Sequence, residues 1–202
     1  MDTYADPQEP RIRTAAPGRT GLACLVGSIV LCLAGSIQSA PTYPLTLPLH
    51  ARATSPTTTI VSAVTIRVDR LMEENRRIRV SDALKRNGYS GFVYALRALP
   101  PVGAIEVSAR NVDLKYAHEQ PDGTGRRLVL VADRPLFFLS GAPSKSREGY
   151  ELTIVDLRFD AQGGVSGTMA GAARVKPGPD GGVVLDDYAE APVQLMAGTL
   201  RP

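Results

Sequence analysis

Hydrophobic and polar positions change their period several times along the chain, and these changes divide it into elements. From Thr59, Ile60, Ser62, Val64, Ile66 and Val68 alternate with Val61, Ala63, Thr65, Arg67 and Asp69. That period of two predicts a strand with one buried face. Ser81, followed by Asp82-Ala-Leu-Lys-Arg86 and stopped by Asn87-Gly88, predicts a short helix capped at Ser81. A second helix is predicted from Ser90, because Phe92, Ala95, Leu96 and Leu99 recur at the spacing of one helical face before Pro100-Pro101 ends it. Together the two make one helical excursion that covers a sheet.

Beyond Pro101 the helical period disappears. Residues 102–110, 112–118, 127–133, 136–139, 150–160, 165–175, 183–188 and 192–200 are short, β-rich segments separated by turn residues. The separators are Gln120-Pro-Asp-Gly-Thr-Gly125, Gly141-Ala-Pro-Ser144, Ala161-Gln-Gly-Gly164 and Pro177-Gly-Pro-Asp-Gly-Gly182. Glycine supplies the positive φ of tight hairpins, and strands joined so closely run antiparallel. The predicted fold class is α+β, mainly an antiparallel β-sheet or open barrel of roughly seven to nine strands with one short helical pair.

Upstream of Thr59 the pattern is of another kind. Residues 21–35 read GLACLVGSIVLCLAG without a charge, preceded by Arg11, Arg13 and Arg19 and followed by the small, polar Ser36-Ile-Gln-Ser-Ala40. This is the order of a secretory signal, and the run falls short of the ~20 residues of a spanning helix. An uncleaved signal anchor over residues 21–36 and a buried core helix are the alternatives. Neither cysteine has a lipoprotein-like tripeptide before it, and Ile12 separates Arg11 from Arg13, so the general secretory route is expected over a twin-arginine one. Pro41, Pro44, Pro48 and Pro56, with Thr and Ser between them, predict an extended linker. The predicted organisation is a signal over 1–40, a linker over 41–58 and one β-rich domain over 59–202. The expected location is periplasmic or secreted, or the inner membrane if the signal stays as an anchor.

Composition narrows the function. With 44% hydrophobic and 21% charged residues the chain has ordinary globular values, and its two cysteines, Cys24 and Cys32, both fall in the apolar run. A disulfide scaffold and a Cys-rich zinc module are thereby excluded. Before residue 41 three Arg balance Asp2, Asp6 and Glu9, so the net +3 belongs to the remaining 162 residues. Such mild basicity suits an envelope protein or an anionic envelope polymer as partner and is weak for nucleic acid. Contact with a membrane is expected only through an uncleaved amino-terminal segment. Arg76, Arg77 and Arg79 form the densest basic cluster, with Glu73 and Glu74 at helical pairing distance. They are ligand-binding candidates beside the reading of a solvated helix face.

Few residues could carry chemistry. His118 is the one histidine of the predicted domain, which excludes a three-histidine metal site, and strand alternation puts it on the face of Val112, Leu114 and Tyr116. It is the single catalytic candidate, and Tyr116 and His118 are ligand-binding candidates. No G-x-S-x-G elbow presents a nucleophile, and Ser140 in Leu139-Ser-Gly141 is only a partial imitation. Asp186 and Asp187 are adjacent and point to opposite faces, while Asp122 and Asp180 belong to turns that their side chains can close. Calcium-loop, nucleotide-binding and haem-attachment motifs are missing, so no metal or cofactor is expected. Gly167, Gly171 and the alanines of residues 165–175 leave room for close sheet packing or for a ligand cleft.

Ser81-Asp-Ala-Leu-Lys85 leading to Gly88-Tyr and Phe92, Ala95-Leu-Arg-Ala-Leu-Pro-Pro101, Arg127-Leu-Val-Leu-Val-Ala-Asp133, Tyr150-Glu-Leu-Thr153, Gly167-Thr-Met169 and Asp187-Tyr-Ala-Glu-Ala-Pro-Val193 carry a resemblance. Over about residues 60–200 the chain resembles a group of uncharacterised exported bacterial proteins with a signal peptide and a single β-rich domain. The resemblance implies export and one domain, and it brings no activity or site residues. The expected function is a non-enzymatic binding or structural domain of the periplasm or cell envelope. The alternatives are an envelope hydrolase with a dispersed site near His118, and a membrane-anchored accessory subunit.

Overall fold

The computed structural model describes residues 42–54, 57–136 and 148–197. All belong to the unit Gln38–Pro202. In chain order they form β1 (Leu45–Thr54), β2 (Thr59–Val68), α1 (Glu74–Arg97), β3 (Gly103–Val107), β4 (Arg110–Asp122), β5 (Gly125–Ala132), β6 (Leu152–Phe159), β7 (Val165–Pro177), β8 (Val183–Tyr188) and β9 (Val193–Met196). The sheet order is β6-β5-β4-β3-β2-β1-β9-β7-β8, and a further β6–β7 ladder closes it on itself. Eight strands thus close into an antiparallel barrel, more closed than the open barrel expected, and β8 hangs on the far half of β7.

Closure pairs each of the eight barrel strands on both sides, and a barrel of this size has an interior that side chains can fill. Leu47, Leu49, Val64, Ile66, Ile105, Leu114, Leu128, Leu130, Val155, Leu157, Met169 and Leu195 form that interior. Leu136 joins the same cluster and is held at the strand ends: its N–H donates to the Gly171 carbonyl at 2.7 Å, and Thr153 Oγ1 lies 2.9 Å from the same N–H. A second apolar layer lies outside the barrel. Val80, Leu84, Phe92, Val93 and Leu96 of α1 pack with Tyr116, Val129, Val131, Leu152, Ile154, Ala170, Ala173 and Val175 on the outer faces of β4 to β7.

The helical excursion is one element with a break. Gly88 adopts φ 65°, ψ −162° inside α1, at the Asn87-Gly88 stop that the sequence predicts. The start is different, because the helix begins at Glu74 and carries no side-chain cap. Ser81 lies mid-helix, its buried hydroxyl without a hydrogen-bond partner. Ion pairs Arg76–Glu73 and Arg77–Glu74, at 3.1 and 2.6 Å, hold the first turn instead.

The predicted linker needs the larger correction. Residues 45–54 are β1, paired along their whole length with β2, so the folded part starts well before Thr59. Four prolines suggested solvated chain, yet Leu45, Leu47, Leu49, Ala51 and Ala53 alternate with Thr46, Pro48, His50, Arg52 and Thr54 and supply a buried face. Pro48 is tolerated because β9 pairs only with His50, Ala51 and Arg52, leaving Pro48 beyond that ladder.

Two bulges overturn the predicted faces. In β4 the register shifts between Leu114 and Tyr116, so Val112, Leu114 and Ala117 point into the barrel while Tyr116 and His118 point out. In β7 the shift opposite Leu152 and Ile154 leaves Met169 inside and puts Ala170, Ala173 and Val175 under α1. Small residues in β7 serve close packing: a Cβ on Gly167 would stand 2.1 Å from the Asp156 carbonyl oxygen. Of the predicted strand over residues 136–139, Leu136 is not in a strand and the rest lies outside the described residues. The apolar run 21–35, Ser140 and the turn 141–144 also lie outside them. No helix among the described residues is long and apolar enough to cross a membrane.

Candidate functional site

The barrel is open at one end. The hairpin joining β4 to β5 and the hairpin joining β6 to β7 lie there with the start of β1 and Leu71. Between them lies a cavity of about 720 Å³, lined by Leu45, Leu47, Leu71, Phe159 and Val165 with Glu119, Arg126 and Asp160. This is the volume of a small-molecule site, and its balance of apolar walls with a few polar groups is the usual one.

Strand alternation aims the polar groups inward. Arg126 shares its face with Leu128, Leu130 and Ala132, and Glu119, paired with Leu128, points the same way. Glu119 Oε2 accepts the Tyr43 hydroxyl at 2.6 Å and Arg126 Nη1 at 2.9 Å. Tyr43 precedes β1, three strands around the wall from β4, so the first bond crosses the opening. Burial, reinforced by the hydrogen bond to Glu119 and its charge, pushes the Tyr43 phenol well above its ordinary range, so it remains a donor. The Arg126 guanidinium lies 3.8 Å over the Phe159 ring. At the rim, Asp160 Oδ1 accepts the N–H groups of Gln162 and Gly164 and closes the β6–β7 turn.

Sequence reasoning missed this set. Tyr43 fell in the predicted linker, and Glu119 and Arg126 lay just outside the predicted strands 112–118 and 127–133. The available signal was Arg126 itself, a cation at an interior position of the face otherwise made of Leu128, Leu130 and Ala132.

The predicted candidates meet on the outer surface instead. Arg77, Tyr116 and His118 come together with Asp180 between the first turns of α1 and the β7–β8 hairpin. Arg77 donates from Nε and Nη2 to Glu74 at 2.8 and 2.6 Å, and from Nη1 to the Gly181 carbonyl at 2.8 Å. The hydrogen bond to Glu74 raises its pKa against the opposing effect of burial. Tyr116 is fully buried and its hydroxyl has no partner of good geometry, although Arg77 is close enough to act on it electrostatically. Burial pushes that phenol up to about 12. The His118 ring stands edge-on to Tyr116 with centroids 6.4 Å apart. Burial, then the Arg77 charge, lowers its pKa, with Asp180, Glu74 and Glu119 pulling the other way. Asp180 Oδ1 accepts the Gly182 N–H at 3.3 Å, the turn duty expected of it.

Arg76 and Arg79 do not join this group. Arg76 pairs with Glu73 and, with Arg79, borders a shallow depression near Pro100. Asp186 pairs with Lys176 at 3.3 Å and Asp122 with Arg158 at 3.6 Å, while Asp187 accepts the Tyr150 hydroxyl. Among the described residues no three His, Cys, Asp or Glu side chains gather as metal ligands. Another cavity, of about 820 Å³, lies between the last turns of α1 and Gly149, lined by Tyr89, Tyr94, Arg97, Glu151 and Arg174. Its lining is less apolar than that of the barrel mouth. Comparison with protein-family models, curated proteins and solved structures gave no match for this chain.

Proposed function

We propose that this chain is an exported, non-enzymatic binding domain of the periplasm or cell envelope that takes a small ligand at the open end of its barrel. The observation that carries the reading is the mouth cavity, where partly buried Leu45, Leu71 and Val165 surround inward-facing Glu119 and Arg126, with Tyr43 bonded to Glu119. Export rests on the order of Arg11, Arg13 and Arg19, the apolar run and the polar stretch behind it.

The rival reading, a hydrolase around His118, draws on the nearness of Asp180 and Arg77. Against it stand the engagement of Asp180 in its own turn and the weak nucleophilicity of a phenol held as protonated as Tyr116. The binding reading is tested by titrating the purified protein with the fluorescent apolar probe N-phenyl-1-naphthylamine. Saturable binding is expected, and Val165→Arg, which fills the mouth, is expected to weaken it at least about tenfold with an unchanged circular dichroism spectrum. Undiminished binding by that variant would refute a site at the mouth. Amino-terminal mass analysis of the protein recovered from cells tests export, with loss of roughly the first 40 residues as the expected result.

A further inference from the structure

We propose that the barrel mouth selects amphiphiles with a cationic, N–H-donating head, a primary alkylammonium being the simplest. This inference rests on the reading of the mouth as a binding site and adds the class of ligand. The two charges inside the mouth answer each other, since Arg126 Nη1 donates to Glu119 Oε2. The flat face of the same guanidinium is covered by Phe159. Tyr43 spends its only proton on the same Glu119 oxygen. Of the ionic groups that line the cavity, this leaves Asp160.

Asp160 sits at the rim, exposed, and uses Oδ1 alone for the two turn N–H groups. Its negative charge is local to the opening. The nearby Arg158 faces Asp122 at 3.6 Å and so does not neutralise it. Below the rim the walls are Leu45, Leu47, Leu71, Phe159 and Val165. An alkyl body laid along these side chains places its head at the level of Asp160, where an ammonium is attracted and a sulfate or carboxylate is repelled.

The test uses the exported protein with N-phenyl-1-naphthylamine bound, displaced by dodecylammonium, dodecanol or dodecyl sulfate, each below its micelle concentration. Dodecylammonium is expected to displace the probe at about one-tenth the concentration of dodecyl sulfate, with dodecanol between them. Raising the salt concentration should narrow the gap, because the rim is exposed. Asp160→Asn keeps an oxygen for the turn and is expected to bring the charged competitors within about twofold of each other. Displacement by dodecyl sulfate at equal or lower concentration than dodecylammonium overturns the inference and leaves the mouth site standing, as does a preference that survives Asp160→Asn. Probe binding that Val165→Arg does not reduce removes both the mouth site and the inference drawn from it.

Discussion

Where α1 lies on it, the wall made of β4 to β7 is buried on both faces, whereas the wall made of β1, β2 and β9 is buried mainly inside. On β5, Leu128, Leu130 and Ala132 fill the barrel while Val129 and Val131 lie under α1, so five consecutive residues are buried. On β1 the buried Leu47, Leu49, Ala51 and Ala53 alternate with exposed or half-exposed Pro48, His50, Arg52 and Thr54. One closed sheet therefore contains both kinds of strand. A continuous apolar run marks where a second layer docks, and strict alternation marks where water stays. The helix covers the wall whose outer face carries the continuous apolar surface.

The strongest way to break this contrast is to remove the covering layer. Phe92→Ala empties a fully buried site between α1 and the sheet and is expected to cost about 3–5 kcal/mol, read as a lowered urea midpoint. A matched pair sharpens it. Val129→Thr buries a hydroxyl under the helix and should cost about 1–3 kcal/mol, whereas Val61→Thr on the bare wall, 43% exposed, should stay within about 0.5 kcal/mol. Equal effects at the two positions would show that the outer faces are not different environments. Tyr116→Phe removes a buried hydroxyl that lacks a partner, and a gain of up to about 1 kcal/mol is expected. A loss would mean that Arg77 does bond that oxygen.

The smallest expected effect is a dependence on pH. His118 has its pKa lowered below the ordinary 6.5 by burial and Arg77, so between those two values the unfolded chain binds more protons than the folded one. Its contribution to stability is full above pH 6.5 and is lost as the pH falls through the lowered native value. His118→Gln should flatten the dependence of the urea midpoint on pH below 6.5. A slope unchanged by the substitution would assign the dependence to other groups.

The mouth and the outer surface show how much of a site can be read from a chain. Arg77, Tyr116 and His118 were legible as polar residues of interest, yet their meeting depends on α1 lying along β4 and on the β7–β8 hairpin folding back to offer Asp180 and Gly181. Glu119 and Arg126 are close in sequence and their hairpin was legible. Tyr43 lies 76 residues from Glu119 and reaches it only because the barrel closes. A bulge adds a further loss of information. The extra residue near Lys115 turns Tyr116 and His118 from the predicted face to the opposite one, and no change of composition announces it.

By itself the chain determined the local periods. Alternation, the Asn87-Gly88 break and the glycine turns at 123, 163 and 181, each with positive φ, were enough for an antiparallel α+β domain with one broken helical excursion. They hold because they depend on neighbours within a few residues. Closure of the barrel, inclusion of β1, the side from which each bulged residue looks out and the assembly of the mouth were decided only in three dimensions. Each depends on contacts between segments far apart in sequence, and a strand carries the same alternating pattern whether its partner closes a barrel or leaves a sheet open.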